Sequence, residues 1–310
     1  MNPATIDYLP ADRSAPRRAP SDSEPPDVDF LDPETVDRVR AFHQSVPQYR
    51  ITPLAELASL ARDLGLGAVF VKDEAERFGL GAFKGLGGIY AMARVLAARL
   101  GIEERPLRFP HLRQQVGREL GDSVTFVTAT AGNHGRGVAW AARQFGVGAV
   151  AVVPHGTATK RIEAIRAEGA AVEILGDGFD AAVAAARRLA SEQGWCLLQD
   201  TAWEGYEEIP RWVMQGYGTM VAESLEQIAA AGSETPTHVV LQVGVGSFAA
   251  AVTAGLSASL GRRRPRIYTV EPTAYGPLFA SVAANRRRRV DGGPDTPMSC
   301  LACTELSTLA

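Results

Sequence analysis

The segment TATAGNHGRG, residues 128–137, joins a short β-branched run at residues 124–127 to an alanine-rich helical stretch at residues 138–143. A turn from a strand into a helix presents backbone N–H groups at the positive end of the helix dipole, where anions and polar rings bind. An ordinary turn would need fewer Gly, Asn, His and Thr residues than this one has. The segment therefore predicts a binding turn in which Asn133 and nearby N–H groups surround an oxygen-bearing ring or a carboxylate.

The same order of strand, turn and helix recurs along most of the chain. Runs rich in β-branched residues lie at residues 68–71, 124–127, 149–153, 171–174, 196–198, 238–241 and 267–270. Helical stretches lie at residues 83–96, 135–145, 160–168, 179–192, 210–230 and 248–260. This alternation is typical of an α/β fold in which helices cover both faces of mostly parallel sheets. Ligands of such sheets bind beyond the carboxyl ends of the strands, where the polar turns lie.

A second polar segment, RFGLGAFKGLGG at residues 77–88, contains one lysine, Lys84, at the predicted start of a helix. The helix dipole disfavours an ammonium group there, so we expect the pKa of Lys84 to be lowered. A lysine with a lowered pKa is suited to forming a Schiff base. On spacing alone, an ordinary solvated lysine remains the alternative.

A third segment, GVGSF at residues 244–248, follows a predicted strand and precedes a helix. Glycines and a serine at a helix N-terminus favour phosphate binding, although Gly-x-Gly alone is a weak signal. The segment fits neither the Walker pattern nor the dinucleotide-binding pattern, so nucleotide binding is not expected.

The composition excludes several classes of protein. Of the 310 residues, 46% are hydrophobic, enough for a sizeable core, and the formal net charge of -3 argues against a nucleic-acid partner. Cys300 and Cys303 have CxxC spacing, but no second Cys/His pair completes a zinc site, so we expect no metal. The arginine runs at residues 262–264 and 286–289 are typical of solvated turns.

The first 30 residues are rich in Pro, Ser and charge, with no hydrophobic period. Such a segment cannot offset its ordering entropy by burial, so we expect a disordered tail over residues 1–30. Its acidic residues and prolines do not fit a secretory signal, and no later run reaches the length of a membrane span. We therefore expect a cytoplasmic protein with reduced thiols and no membrane contact.

Several further motifs make the chain resemble a known family. They lie at residues 49–54, 71–74, 77–79, 132–142, 199–206, 209–210 and 214–217. The order of the lysine, asparagine and glycine segments resembles that of fold-type II pyridoxal-phosphate (PLP) enzymes. The block QDTAWEGY at residues 199–206 narrows the resemblance to the diaminopropionate ammonia-lyases, and the likeness runs from about Phe30 to Glu305.

The resemblance implies a PLP site. Lys84 would hold PLP covalently, Asn133 would hydrogen-bond the ring hydroxyl, and Asp200 would face the substrate. Gly132 and His134 would complete the ring-binding turn, with His134 expected to order the loop rather than transfer protons. The phosphate would lie against Gly244, Val245, Gly246, Ser247 and Phe248.

The resemblance also implies an activity and an architecture. The expected reaction is α,β-elimination of ammonia from 2,3-diaminopropionate to pyruvate, within amino-acid metabolism, by a homodimer that uses Lys84 to move the α-proton. The expected fold has two open, twisted, mostly parallel sheets flanked by helices. Residues 31–90 and 197–310 would form a large PLP domain, and residues 91–196 a small domain.

The chain departs from the family pattern at two points. The family motif reads Thr-Asp-Gly-Asn-His-Gly, and its aspartate is thought to act on the D-isomer, whereas this chain has Ala131 there. Turnover is therefore expected to favour the L-isomer or another β-substituted amino acid. In addition, residues 298–305 resemble a family region well before its C-terminus, so the C-terminal part of the large domain is expected to be missing.

Two alternative functions stay open at this stage. An external nucleophile could add to the same aminoacrylate intermediate, which would make the chain a β-substitution synthase. Alternatively, the chain could be an inactive truncated homologue or a partner subunit, as Ala131 and the short C-terminal region both favour. The presence of Lys84, Asn133 and Asp200 opposes that reading, because these residues have no obvious packing role.

Overall fold

The protein was analysed as a computed structural model that describes residues 29–102, 105–293 and 296–310. The predicted tail lies outside these residues except for Asp29 and Phe30, which begin a 3-10 helix that ends at Leu31. The helices and strands, in chain order, are α1 (Pro33–Gln44), β1 (Leu54–Glu56), α2 (Ala58–Leu64), β2 (Phe70–Lys72), α3 (Lys84–Arg99), α4 (Phe109–Glu119), β3 (Thr125–Ala129), α5 (Asn133–Phe145), β4 (Gly148–Val153), α6 (Thr159–Arg166), β5 (Ala171–Ile174), α7 (Phe179–Gln193), β6 (Cys196–Leu197), α8 (Glu208–Ala230), β7 (His238–Gln242), α9 (Ser247–Leu260), β8 (Arg266–Val270) and α10 (Pro277–Ala284).

Four parallel strands form the larger sheet, in the order β5-β4-β3-β6. Successive residues of β4 point to opposite faces of a sheet. Val150 and Val152 pack against α7 on one face, whereas Ala151 and Val153 pack against α5 and α6 on the other. Helices therefore cover both faces of this sheet, as the alternating sequence pattern predicts.

The second parallel sheet contains β7 and β8, and β1 and β2 form a separate antiparallel pair on either side of α2 in the chain. The predicted mostly parallel α/β fold is confirmed, and the predicted strand at residues 68–71 belongs to this antiparallel pair. One face of the β7-β8 sheet is largely open, with Val240 67% and Tyr268 47% exposed. Parallel sheets are normally covered on both faces, so this face is less covered than is usual for such a sheet.

Helix α3 lies at the centre of the main core and starts at Lys84. A Cβ atom added at Gly216 of α8 would lie 2.6 Å from the Gly87 Cα atom, and one at Gly88 would lie 3.3 Å from the Gly137 carbonyl carbon. At position 216 only glycine fits, and at position 88 a Cβ atom would push the helix backbones slightly apart. The glycines that follow Lys84 thus hold its helix against α8 and α5.

A buried ion cluster ties the segment before Lys84 to α8. Arg77, 1% exposed, donates to Glu223 at 2.7 and 2.9 Å and to Glu74 at 2.7 and 2.8 Å. The Lys72 amine lies 2.7 Å from Glu223, and Tyr49 donates to the same carboxylate at 2.7 Å. Buried charges are tolerated when they are paired in this way, so the cluster fixes the segment before Lys84 against α8.

The predicted division into a large and a small domain stays a prediction, and its boundary at residue 90 falls inside α3. The four-stranded sheet and helices α4 to α7 lie within or next to the proposed small domain. Among the helices of the described residues, none is long and apolar enough to cross a bilayer.

Candidate active site

A cavity of about 1130 Å³ opens where β3, β4 and β7 end. Nine of the ten predicted site residues line it: Lys84, Gly132, Asn133, His134, Asp200, Gly244, Val245, Gly246 and Phe248. Ser247 is fully buried and does not line the cavity. The three polar turns therefore meet in one place, at the carboxyl ends of parallel strands, as the sequence predicts.

The Lys84 amine forms an ion pair with Asp200, and both residues line the cavity. The Lys84 Nζ atom lies 2.6 Å from Asp200 Oδ2, and the side chains are 21% and 8% exposed. The two residues are separated by 116 positions in the sequence. A nearly buried charge-assisted hydrogen bond of this kind fixes the direction of the amine.

The pKa of Lys84 differs from the sequence-based expectation. Burial lowers the pKa of this amine, but the Asp200 carboxylate outweighs that effect, and the pKa is raised above its ordinary value. Lys84 is the first residue of α3, as predicted, so the helix dipole acts on it. The prediction of a lowered pKa is wrong because it left out a carboxylate that only the fold brings near.

His134 lies on the other side of Asp200. Its Nε2 atom lies 3.1 Å from the Leu198 carbonyl oxygen, which can only accept, so Nε2 carries the hydrogen. Its Nδ1 atom is buried, has no hydrogen-bond partner among the described residues and lies 3.7 Å from Asp200 Oδ2. Burial lowers the pKa of His134, so the ring is neutral and the charge on Asp200 is balanced by Lys84.

Thr130 orders the turn that carries Asn133 and was not predicted. Its hydroxyl oxygen accepts from the Gly132 and Gly135 N–H groups, both at 2.9 Å. A Cβ atom at Gly135 would lie 2.2 Å from Thr130 Cγ2, so only glycine fits there. Asn133 begins α5 and is exposed to the cavity, where its amide can hydrogen-bond a ligand.

The glycine turn at residues 244–248 leads into α9. Gly246 is the N-cap residue, with φ of 91° and no side-chain cap, so the first N–H groups of α9 are free of a side-chain acceptor. Such a helix N-terminus binds anions. The Ser247 hydroxyl instead donates to the Asp200 carbonyl oxygen at 2.6 Å, which links this turn to the acid beside Lys84.

Arg161 is a further cavity residue that sequence reasoning missed. It donates to the Ala131 carbonyl oxygen at 3.2 Å and to the Ser299 hydroxyl at 3.0 Å. These contacts join α6 to the asparagine turn and to residue 299, which lies 138 positions away. No local pattern could have shown this, because the partners come from separate parts of the chain.

Within the described ranges, no group of three or more His, Cys, Asp or Glu side chains is placed to hold a metal ion. Cys303 lies beside the glycine turn, where its Sγ atom would be 3.3 Å from a Cβ atom added at Gly244. Burial raises the pKa of the Cys303 thiol to about 12. The groups suited to PLP chemistry in the cavity are thus the Lys84 amine, the Asp200 carboxylate and the N-termini of α5 and α9.

The sequence profile of the family described as pyridoxal-phosphate dependent enzyme matches residues 46–310. The chain belongs to this family. Diaminopropionate ammonia-lyase from Salmonella typhimurium is 47% identical over 269 residues, which cover 86% of this chain and 67% of that protein. The enzyme of the same name from Escherichia coli strain K12 is 42% identical over 270 residues.

Solved structures agree with this assignment to the pyridoxal-phosphate enzymes. The Escherichia coli diaminopropionate ammonia-lyase in complex with D-serine superposes with a TM-score of 0.83 at 40% identity, covering 90% of this chain and 69% of that one. Its selenomethionine holo form gives the same TM-score. The chain is therefore a homologue of diaminopropionate ammonia-lyase that spans about two thirds of its length.

The predicted family, fold type and cofactor are confirmed: this is a fold-type II member of the pyridoxal-phosphate enzymes, and the cofactor of the family is PLP. The cavity suits that cofactor on two counts. It offers a primary amine that can condense with an aldehyde, and the uncapped N-terminus of α9 is complementary to a phosphate.

Proposed function

We propose that this chain catalyses the α,β-elimination of ammonia from L-2,3-diaminopropionate, giving pyruvate and two molecules of ammonia with the uptake of one water. The relatives that share this name and the family membership support the reaction class. The observation that carries the proposal is the 2.6 Å contact of Lys84 with Asp200 at the edge of the cavity.

Three turns would hold the cofactor. Lys84 would bind it covalently, Asn133 would hydrogen-bond the ring hydroxyl beside Gly132 and His134, and the N–H groups of residues 244–248 would bind the phosphate. PLP supplies an electron sink for the charge that develops when the α-proton leaves. The protein contributes the placement of this group and the proton transfers around it.

Lys84 would move the protons of the elimination. Once the substrate has displaced it, the amine takes the α-proton of the L-isomer and passes a proton to the departing β-amine. Burial alone would raise the pKa of Asp200, but the Lys84 ammonium 2.6 Å away holds it below its ordinary value, and the ionised Asp200 in turn favours the protonated amine. Because burial lowers its pKa, His134 stays neutral and adds no positive charge beside the Lys84 ammonium group.

The proposed preference for the L-isomer rests on position 131. Ala131 lines the cavity in the asparagine turn, where the family motif has an aspartate. A methyl group cannot accept a proton, so the face of the substrate that it borders lacks a base. The Escherichia coli relative was crystallised with D-serine, which makes the D-isomer a meaningful comparison.

Pyruvate release from the two enantiomers of 2,3-diaminopropionate tests the proposal. We expect turnover of the L-isomer that is lost in Lys84→Ala and retained in Lys160→Ala, since Lys160 is exposed on α6. Efficient turnover of the D-isomer would contradict the assigned role of position 131. A new amino acid formed in the presence of thiols would instead favour the synthase reaction.

We further propose that the enzyme is a cytoplasmic homodimer with the two domains described above, acting on a small amino acid and not on nucleic acid. The net charge of -3 supports a small-molecule substrate rather than nucleic acid. Light scattering of the purified protein measures the subunit number directly, and a monomeric active enzyme would contradict the proposed assembly.

A further inference from the structure

Tyr217 lies behind Lys84, in the middle of α8. Its ring is fully buried and packs edge-on against Phe83, with centroids 5.1 Å apart and planes at 78°. It also packs edge-on against Phe248 of the glycine turn, at 6.2 Å and 71°. The ring is therefore held between the residue before Lys84 and the turn proposed to bind phosphate.

The Tyr217 hydroxyl has no hydrogen-bond partner among the residues that the structure describes, although it is buried. Buried tyrosine hydroxyl groups normally find a partner, because an unpaired buried polar group is destabilising. An exception inside a packed core requires a reason, and functional groups are a common one. The groups around this hydroxyl therefore indicate which partner it serves.

Lys84 and Asp200 are the charged groups that act on Tyr217. The Lys84 Nζ atom lies 5.8 Å from the Tyr217 ring centroid. Burial raises the pKa of Tyr217 to about 12, against the opposing effect of the Lys84 ammonium, so the hydroxyl stays neutral. The titratable groups that act on Lys84 are Asp200, Tyr217 and Cys303, with His134 behind Asp200.

We propose that Tyr217 is a positioning residue for Lys84: its otherwise unpaired hydroxyl pairs with the Lys84 amine during the reaction, as a second hydrogen-bonding partner beside Asp200. The hydroxyl oxygen accepts an N–H of the protonated amine, and the O–H donates to the lone pair of the neutral amine. A carboxylate can only accept, so Asp200 cannot serve the neutral amine in that way. The inference rests on the proposed role of Lys84 in the elimination.

This arrangement has a defined consequence for the reaction. Lys84 alternates between a neutral form that takes the α-proton and a charged form that gives a proton away. Tyr217 keeps the amine aimed into the cavity in both forms, without itself losing or gaining a proton. Its removal is expected to slow the proton transfers while leaving substrate binding almost unchanged.

Tyr217→Phe tests the proposal, with Tyr90→Phe as the matched control. Both variants remove one hydroxyl from a buried ring in the core, but Tyr90 is not part of the cavity. We expect Tyr217→Phe to keep its melting temperature and its bound PLP, and to lose about tenfold in kcat with KM changed less than roughly twofold.

A measurement without turnover separates positioning from packing. In the resting holoenzyme, the pH dependence of the visible PLP absorption band should shift in Tyr217→Phe and stay unchanged in Tyr90→Phe. If kcat and this pH dependence both match the wild type, the proposal is overturned. If the wild type carries no PLP on Lys84, it is the proposed function that fails instead.

Should Tyr217→Phe fail to fold, 3-fluorotyrosine at position 217 provides the second test. Fluorine makes the hydroxyl more acidic with little change in ring size, so the pH dependence of kcat and of the absorption band should both shift. The same replacement at Tyr90 should leave them unchanged. Equal profiles for the position 217 protein and the wild type would overturn the inference.

Discussion

At position 131 a methyl group faces the cavity from the turn that carries Asn133. The Arg161 guanidinium holds the backbone here by donating to the Ala131 carbonyl oxygen at 3.2 Å. The side chain thus has a fixed place on the cavity wall, on a different segment from Lys84. A carboxylate at this position would add a base to the cavity wall.

Ala131→Asp is expected to introduce measurable turnover of D-2,3-diaminopropionate, because it supplies a proton acceptor on the asparagine turn, a cavity segment separate from that of Lys84. An increase on the order of 10²-fold over the parent is expected for one added general base. Ala131→Asn is the matched control, since its amide has nearly the same shape and cannot take the proton. Equal D-isomer activity in the two variants would contradict the role assigned to position 131.

At the scale of elements, the position of Lys84 depends on the contact between α3 and α8. Gly87 and Gly216 meet where the backbones are closest, and a Cβ atom at Gly216 would also lie 2.6 Å from the Leu86 carbonyl oxygen. Backbone atoms cannot yield as the end of a flexible side chain does. The helix that starts at Lys84 would have to move away from α8.

Gly216→Ala should therefore destabilise the protein by about 1–3 kcal/mol despite the better helix propensity of alanine. Gly117→Ala in α4 is the control, because no atom lies within 4 Å of its added Cβ. That variant should be more stable by about 0.5–1 kcal/mol. Urea unfolding of both variants measures the difference, and equal midpoints would show that the α3-α8 contact is looser than described.

At the scale of the whole molecule, the buried ion cluster links segments that are far apart in the chain. Glu223 of α8 is fully buried and accepts from Arg77, Lys72 and Tyr49. Burial alone would raise its pKa, but the hydrogen bonds from Arg77, Lys72 and Tyr49 lower it from 4.5 to about 2. A carboxylate whose pKa is lower in the folded state than in the unfolded state stabilises the fold at pH values above its unfolded pKa. This stability is lost as the pH falls through the folded pKa.

The free energy of unfolding is expected to drop as the pH falls from about 4.5 to about 2, with roughly 3 kcal/mol of the loss due to Glu223. Glu223→Gln should be less stable at neutral pH and show a flatter acid dependence in this range. Glu226→Gln, on the same helix, should change little, because the Glu226 side chain is 57% exposed and its pair with Arg40 is screened by solvent. An unchanged acid slope in Glu223→Gln would contradict this role.

The sequence predicts most of the fold because strands and helices differ in local pattern. Each predicted strand is present, and six predicted helices agree with the structure to within a few residues. Elements with weak local patterns were missed. Helix α4 is strongly polar apart from Phe109, Leu112 and Val116, and β1 has only three residues.

The candidate site, too, could be predicted from the sequence only in part. The three polar turns could be predicted because each is a continuous segment with unusual residues. The contacts between them could not: Lys84 meets Asp200 across 116 positions, and Arg161 meets Ser299 across 138. Tyr217 lies in the family motif at residues 214–217, but no role was predicted for it, because a tyrosine within a helix is most often a packing residue and only the fold places it behind Lys84.

The most direct test of the central claim is to find which amine carries PLP. The chain contains only three lysines, Lys72, Lys84 and Lys160, so borohydride reduction of the PLP-loaded protein followed by peptide mapping gives a clear answer. The account predicts reduced PLP on Lys84 alone, since Lys72 is paired with Glu223 and Lys160 is exposed to solvent. Folded, PLP-treated protein with an unlabelled Lys84, or with the label on Lys72 or Lys160, would contradict it.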